Sequence, residues 1–335
     1  MSGYLKEEVR WGIIGVGDVC EVKSGPAFQK IANSRLIAVM RRNAEKAADY
    51  ARRHNVPKWY SKAEDLINDA EVNAIYVATP PDTHTKYAIM AAEAGKPAYV
   101  EKPMARTYKE CLEMVRVFEK LNIPLFVAYY RRALPYILLI KKLLKEKVIG
   151  DVRFVDVKIC MRLHKSDTAI IKDPNDWRVI PEIAGGGYFY DLACHQLDAL
   201  DFLFGPIVKA NGIATNQSGL YKAEDITTGS FVFENGVMGN GVWAFNTSAV
   251  SEVELSTIVG SEGEIRFSFF GDHKVLLKRE SSEQWFEPEI PQHIQQPLIQ
   301  TVVDDLLGRG TCPSTGKTAS KTNWVMEQIC NNQTN

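Results

Sequence analysis

The chain alternates short apolar runs with stretches of helical pattern over its first 128 residues. The apolar runs lie at 9–14, 36–40, 73–78, 97–100 and 124–128, and helical patterns at 43–54, 82–94 and 107–121 separate several of them. Strands that alternate with helices form βαβ units, hence a parallel sheet that binds ligands at the carboxyl ends of its strands. This alternation predicts an α/β protein that begins with a Rossmann domain, a doubly wound parallel sheet.

A glycine-rich turn follows the first apolar run directly, with the sequence Gly15-Val16-Gly17-Asp18-Val19-Cys20. In the dinucleotide-binding fingerprint the first glycine permits a tight turn, the second lets the backbone approach a pyrophosphate, and the third position takes a small side chain. Cys20 is small but is not glycine. The turn predicts a bound dinucleotide at Gly15, Gly17, Asp18 and Val19. Pro26 is expected to begin a second helix after a short first one.

The end of the second apolar run bears on which dinucleotide binds. An Asp or Glu there usually contacts the ribose 2′-hydroxyl of NAD, whereas an Arg accommodates the 2′-phosphate of NADP. This chain has Met40-Arg41-Arg42-Asn43 at that position, and guanidinium groups pair with phosphate and stack on adenine. Arg41 and Arg42 therefore favour NADP(H) over NAD(H), although two solvated arginines beside the start of a helix would have the same sequence.

The hydrophobic pattern changes after residue 151. Apolar and polar residues alternate from Val155 to Met161, and Asn235-Gly236 and the segment 260–263 each separate two strand-like runs, which is typical of antiparallel hairpins. We expect domains at 1–128 and 129–335. The second would be an α+β domain with a largely antiparallel open sheet, and helices at 296–307 and 319–330 that close the molecule and can pack back on the first domain. One sheet face is a natural place for self-association as a homodimer or homotetramer.

Composition argues against several classes of protein. The 335 residues include 40 basic and 41 acidic ones, with a formal net charge of −1, so we expect no nucleic-acid or membrane partner. No stretch has the length of a membrane-spanning helix. The first ten residues lack the apolar core of an export signal, and the six cysteines are scattered, so a cytoplasmic location is expected. The spacing of potential ligands predicts no metal site.

Two stretches carry candidate catalytic side chains. Lys102 lies between a buried run and Pro103, which disfavours helix at Lys102, so its ammonium group is expected to point in a defined direction. After Gly185-Gly186-Gly187, Asp191 and His195 lie four residues apart in a helical pattern. At that spacing a carboxylate can orient an imidazole as a general base. A solvated lysine and a surface Asp–His pair are the alternatives.

These motifs together resemble the glucose–fructose oxidoreductase and inositol dehydrogenase family, also called Gfo/Idh/MocA. The resemblance rests on the glycine turn, Ala78-Thr-Pro-Pro-Asp-Thr-His84, Glu101-Lys102-Pro103, and the segment from Gly185 to His195, and it spans nearly the whole chain. It implies a Rossmann domain, a second domain with an open sheet used for oligomerisation, and hydride exchange between NAD(P) and a carbohydrate-like alcohol. Cys20 departs from the family pattern, and so does the lack of the export signal that periplasmic members carry.

The resemblance also implies that Lys102, Asp191 and His195 line the catalytic site. His195 would take the proton of a carbinol hydroxyl while Asp191 orients the imidazole, and Lys102 would hydrogen-bond the reacting oxygen. The wider cofactor site is expected to include Thr79, Pro80, Pro81, His84, Glu101 and Arg178, with His84 near the nicotinamide. Candidate walls for a polyol are Tyr130, Arg131, Trp177, Arg178 and Trp243.

Three classes of function fit these residues. The leading one is an NADP-dependent sugar, polyol or cyclitol oxidoreductase. A glycosidase of the same family that retains NAD⁺ is the second, and Arg41 and Arg42 argue against it. A cofactor-sensing regulator without chemistry is the third, and an intact His195 argues against that. Substrate specificity would lie in the loops at 163–181 and 215–224, where the sequence is not diagnostic.

Overall fold

The computed structural model describes residues 3–162 and 176–331. The chain divides into two compact units. The first comprises Met1–Leu134 and Pro291–Ser320, and the second comprises Pro135–Ile290 and Lys321–Asn335. The chain thus leaves the first unit after Leu134, returns to it at Pro291 and leaves it again after Ser320. Much of the loop at 163–181 lies outside the described residues.

Parallel strands form the sheet of the first unit, and they are β1 (Val9–Ile14), β2 (Ser34–Met40), β3 (Lys58–Tyr60), β4 (Ala74–Val77), β5 (Ala98–Val100) and β6 (Leu125–Val127). Their order is β3-β2-β1-β4-β5-β6, the doubly wound order that reverses beside β1. The Rossmann prediction is confirmed. No predicted strand corresponds to β3, because its three residues, Lys-Trp-Tyr, do not form an apolar run.

The register of this sheet brings the strands to an end at one level. Ile14 pairs with Met40 and Val77, Val77 pairs with Val100, and Val100 pairs with Val127. The loops that begin at Gly15, Arg41, Ala78 and Glu101 therefore leave the same edge of the sheet. Parallel sheets bind their ligands at this edge.

Helices connect these strands, and they are α1 (Asp18–Val22), α2 (Ala44–Arg53), α3 (Ala63–Ile67), α4 (His84–Glu93) and α5 (Tyr108–Leu121). Asn43 caps α2, because its side chain accepts a hydrogen bond from the Lys46 N–H at 2.9 Å. Thr107 and Glu110 form a capping box at the start of α5. Such caps satisfy backbone donors that have no partner inside the helix.

The helix predicted from Pro26 is only a 3₁₀ segment, Gly25–Gln29. A Cβ atom at Gly25 would lie 2.1 Å from the Tyr50 hydroxyl oxygen and 2.2 Å from the Cys20 carbonyl oxygen. The same hydroxyl donates a hydrogen bond to that carbonyl at 2.8 Å. The backbone at Gly25 is thus pressed against α1 and α2, and this close packing replaces a regular helix.

The second unit contains an eight-stranded sheet formed by β7 (Val152–Cys160), β8 (Ile207–Thr215), β9 (Ile226–Phe233), β10 (Met238–Ala244), β11 (Val253–Gly260), β12 (Gly263–Phe267), β13 (Val275–Arg279) and β14 (Ser282–Phe286). Its order is β14-β13-β12-β11-β7-β10-β9-β8. The neighbouring strands β7 and β10 run parallel to each other. The prediction of a largely antiparallel sheet is confirmed, including the hairpins at Asn235-Gly236 and 260–263.

Helices α6 (Pro135–Lys145) and α8 (Cys194–Phe204) pack on one face of this sheet, and the short helix α7 (Pro181–Ala184) precedes α8 in the chain. On α6 the ring of Tyr136 lies 6.4 Å from that of Phe267, and on α8 the side chain of Gln196 accepts a hydrogen bond from Trp243. Both contacts are made to inward-facing residues of the sheet. The opposite face leaves several apolar side chains exposed, among them Phe154, Ile213, Met238, Val242, Leu255 and Trp285.

Two further helices follow the sheet. The first, α9 (Gln296–Leu306), belongs to the first unit, whereas the division between the units falls within α10 (Gly316–Cys330). In the second unit Ile329 of α10 packs so closely on β8 and β9 that Cβ atoms at Gly212 and Gly229 would lie 2.7 and 3.0 Å from its side chain. Within the described residues, no helix is both long enough and apolar enough to cross a membrane.

We expect Gly25→Ala to destabilise the first unit by about 1–3 kcal/mol, since an added methyl group would overpack a closed contact. The shift of the thermal unfolding midpoint measures this effect. Gly310→Ala is the matched control, because a Cβ atom there would meet Asp304 at an ordinary 3.5 Å. Equal midpoints for the two variants would contradict the packing argument.

Candidate active site

The glycine turn lies at the carboxyl edge of the first sheet. Gly15 has a φ of +94°, and a Cβ atom there would lie 2.6 Å from Cγ2 of Thr79. The N–H groups of Gly15 and Val16 donate to the Met40 carbonyl at 2.9 and 3.2 Å. Gly17 differs, because the nearest atom to a Cβ there would be the Gly15 carbonyl oxygen at 3.9 Å. The second glycine therefore has the open face through which a backbone can approach a pyrophosphate.

Cys20 fills the third position of the fingerprint as a packing residue. It is fully buried, and burial raises the pKa of its thiol to about 12. The thiol is therefore neutral at physiological pH and behaves as a small apolar side chain. Asp18 and Val19, which were predicted at the phosphates, occupy the first turn of α1.

Three basic residues follow the paired ends of β2 and β3. Met40 pairs with Tyr60, and the Arg41 N–H donates to the Tyr60 carbonyl at 3.2 Å. Arg41 and Arg42 after β2 are thus beside Lys62 after β3, and Arg42 and Lys62 are exposed. Within residues 3–162 and 176–331, none of these three forms an ion pair. Lys62 was not predicted, because recognising it depends on the short strand β3.

Glu101 anchors the segment that carries Lys102. Its carboxylate is 6% exposed and accepts hydrogen bonds from the Tyr76 hydroxyl, from Gln295 Nε2 at 2.7 Å and from the Lys102 N–H at 3.1 Å. The Lys102–Pro103 peptide is cis. Lys102 itself is half-buried. The Glu101 carboxylate, predicted as a cofactor ligand, is thus engaged by buried neighbours and holds the backbone on which Lys102 is carried.

His84 connects two loops at this edge. It is fully buried, with Nε2 2.7 Å from the Thr79 carbonyl oxygen and Nδ1 3.1 Å from the Pro103 carbonyl oxygen. Burial lowers the pKa of this imidazole. Pro80 and Pro81 lead from Thr79 into α4. The ring therefore joins the end of β4 to the segment after Lys102. In this position it is a buried structural contact beneath the predicted cofactor site.

The glycine run of the second unit has the conformations that only glycine adopts readily. Gly185 and Gly187 have φ angles of +94° and +61°, and a Cβ atom at Gly186 would lie 2.3 Å from the Tyr190 ring. The helix predicted through Asp191 is interrupted, since Phe189–Ala193 forms a π-helical turn before α8. Such turns occur often at functional sites. Within this turn the Tyr190 ring packs closely on Gly186.

Asp191 and His195 lie on this π turn and at the start of α8. Arg178 Nε is 3.4 Å from the Asp191 carboxylate, so the side chain predicted as a cofactor or substrate contact pairs with a predicted catalytic residue. Asp176 also pairs with Arg178 at 3.2 Å, and the guanidinium group stacks on Trp177 at 4.4 Å. His195 is 3% exposed. The structure brings Asp191, Arg178 and Trp177 together.

The remaining candidate walls occupy different environments. Tyr130 and Arg131 in the first unit are both buried, and Arg131 donates to the Tyr130 hydroxyl at 2.8 Å. Trp177 in the second unit is half-exposed. Trp243 is completely buried, so the prediction that it forms a wall of the substrate site is replaced by a role in the sheet core. The described residues contain no group of His, Cys, Asp and Glu side chains suited to a metal ion.

A Rossmann unit with an open glycine turn, followed by a second unit with a mixed sheet, is an arrangement typical of dinucleotide-dependent enzymes. Residues 9–129 match the model of the oxidoreductase family with an NAD-binding Rossmann fold, and residues 137–266 match the GFO/IDH/MocA C-terminal domain. The chain belongs to the Gfo/Idh/MocA family, and the predicted resemblance is confirmed.

Known relatives match from about two thirds to nearly all of the chain. It is 40% identical to Oxidoreductase P35 of Formosa agariphila over 97% of this chain and 99% of that one. It is 28% identical to a trans-1,2-dihydrobenzene-1,2-diol dehydrogenase of Xenopus tropicalis over 68% and 62% of the two chains. A levoglucosan dehydrogenase solved with NADH and levoglucosan has the same fold, with a TM-score of 0.85 at 22% identity and 96% coverage of both chains.

Proposed function

We propose that the protein is an NADP(H)-dependent oxidoreductase that transfers a hydride between nicotinamide and a hydroxyl or carbonyl group of a sugar, polyol or cyclitol. The presence of Lys102, Asp191 and His195 in the family's motifs carries this proposal. Two further relatives have names that indicate carbohydrate substrates, and these are levoglucosan dehydrogenase of Pseudarthrobacter phenanthrenivorans, 29% identical, and 1,5-anhydro-D-fructose reductase of Ensifer adhaerens, 27% identical.

In the proposed mechanism His195 takes the proton of the substrate hydroxyl during oxidation and returns it during reduction. Asp191 orients the imidazole, and its pairing with Arg178 keeps the carboxylate in one position. Lys102 donates a hydrogen bond to the reacting oxygen and stabilises its developing negative charge. The nicotinamide ring supplies the hydride acceptor or donor when the cofactor is bound.

His195→Asn is expected to lower kcat by about 10²–10⁴-fold, since the asparagine side chain cannot accept the proton. Cofactor affinity, measured by calorimetric titration, should stay nearly unchanged. His54→Asn is the matched control, because His54 lies in a surface cluster with Glu21. Turnover at the wild-type rate in His195→Asn would refute the mechanism.

The preference for NADP(H) is supported by Arg41, Arg42 and Lys62. They are basic side chains at the ends of β2 and β3, where a 2′-phosphate is met in dinucleotide-binding sheets. Among the described residues, no carboxylate forms an ion pair with any of these three side chains. A doubly charged phosphate would provide the missing partner.

We expect the wild type to bind NADP⁺ much more tightly than NAD⁺ in calorimetric titrations. Each of Arg41→Ala, Arg42→Ala and Lys62→Ala should weaken NADP⁺ binding by about 10–100-fold, the effect of about 1.5–3 kcal/mol for a charged hydrogen bond. NAD⁺ affinity should change little. Lys109→Ala, which removes an exposed lysine of α5, is the control. Tighter binding of NAD⁺ by the wild type would reverse the assignment.

Self-association through the outer face of the second sheet is also proposed. Register places Val259, Phe154, Met238 and Val232 in one row across β11, β7, β10 and β9, and Phe154 and Met238 are exposed. Contiguous exposed apolar residues on a regular face are typical of protein interfaces.

Met238→Glu should convert the wild-type homo-oligomer into a smaller species in size-exclusion chromatography with light scattering, because it places a charge in the apolar row. Val250→Glu is the control, since Val250 is 96% exposed but lies outside the strands. A monomeric wild type would contradict this proposal.

A further inference from the structure

A hydrogen-bond network joins the helix that carries His195 to the loop between β12 and β13. Gln196 is fully buried and accepts a hydrogen bond from Trp243 Nε1 at 2.7 Å. Its Nε2 donates to Glu254 Oε1 at 3.2 Å. An indole nitrogen only donates, so the orientation of the Gln196 amide is determined. The other oxygen of Glu254 accepts from the Phe270 N–H at 3.0 Å and from the Ser268 hydroxyl.

The loop that carries Phe270 is held in a tight conformation. Ser268 Oγ donates to Glu254 and accepts from the Gly271 N–H at 2.7 Å. A Cβ atom at Gly271 would lie 2.5 Å from that oxygen, so the approach requires a residue without a side chain. Glu254 therefore connects a central strand of the sheet, the helix α8 and a closed loop.

The loop places the Phe270 ring beside His195. Their ring centroids are 6.0 Å apart with an interplanar angle of 69°, an edge-to-face contact. Phe270 is half-buried, so the residue keeps some exposure to solvent. An aromatic surface packs well against the C–H face of a pyranose or cyclitol ring, and a flexible acyclic polyol has no such rigid face.

We propose that Phe270 is a specificity-determining residue that selects cyclic carbohydrate substrates, and that Glu254 is the positioning residue that holds it beside His195. This inference rests on the proposed function of His195 and adds the substrate feature that is recognised. Glu254 acts through the loop and through Gln196 and does not contact the substrate.

The test compares kcat/KM for two cyclic probes, levoglucosan and myo-inositol, with that for acyclic D-glucitol. Phe270→Ala should lower kcat/KM by about tenfold for a cyclic probe that the wild type turns over, and should change that for D-glucitol less than about twofold. Glu254→Gln should act in the same direction, because one of its terminal atoms no longer accepts hydrogen bonds. For the cyclic probe, kcat/KM of the double variant should equal that of Phe270→Ala alone, since both changes remove the same interaction.

Two further variants keep this test decisive. Ser268→Ala, which removes a single donor to Glu254, replaces Glu254→Gln if that protein does not fold. Glu283→Gln on β14 removes an exposed carboxylate of the same sheet and should leave every rate unchanged. An equal loss of kcat/KM for cyclic and acyclic probes in Phe270→Ala would overturn the specificity role. If the losses of the two single variants added up in the double variant, the link between Phe270 and Glu254 would be overturned.

Nuclear magnetic resonance of histidine-labelled protein gives a readout that does not depend on turnover. The ring current of Phe270 should shift the His195 ring signals, and both Phe270→Ala and Glu254→Gln should remove that shift. Unchanged His195 signals in Phe270→Ala would contradict the contact. Full activity of His195→Asn, or a wild type that turns over none of the probes, would count against the proposed function itself. The contact between Phe270 and His195 would then still be tested by these resonance signals.

Discussion

The buried carboxylate of Glu101 is the interaction on which the functional edge of the first unit depends. A carboxylate that loses its water is stable only when hydrogen bonds replace that water. Its donors come from Tyr76 on β4, from Gln295 before α9 and from the backbone of Lys102. One carboxylate therefore joins three parts of the chain that are far apart in sequence, and its bond to Gln295 is one of the contacts that connect residues 291–320 to the first unit.

Buried contacts also support the rest of this edge. His84 spans from the carbonyl of Thr79 to that of Pro103, and Thr79 packs on Gly15. These groups are used inside the protein, whereas the backbone at Gly17 is open and Arg42 and Lys62 are exposed. This edge is where the proposed cofactor would bind.

The second unit positions its reactive side chains in a different way. Gly186 lets the Tyr190 ring approach the backbone, and a π turn places Asp191 ahead of a regular helix. Arg178 then neutralises Asp191 from a separate segment. Behind the helix, the link from Trp243 through Gln196 to Glu254 relates α8 to the sheet. Both ends of the short segment from Asp191 to Gln196 are therefore held by polar contacts.

The sequence by itself determined the class of fold, most strand positions, the family, and the candidates Lys102, Asp191 and His195, because hydrophobic period, turn residues and short motifs are local properties of a chain. It could not indicate Lys62, since that residue matters only through the pairing of three-residue β3 with β2. Nor could it indicate the π turn, the burial of Trp243 or the contact of Phe270 with His195. Only the tertiary structure determined these four features. Each depends on packing or hydrogen bonding that is established when the chain is folded, in most cases between residues that are distant in the sequence.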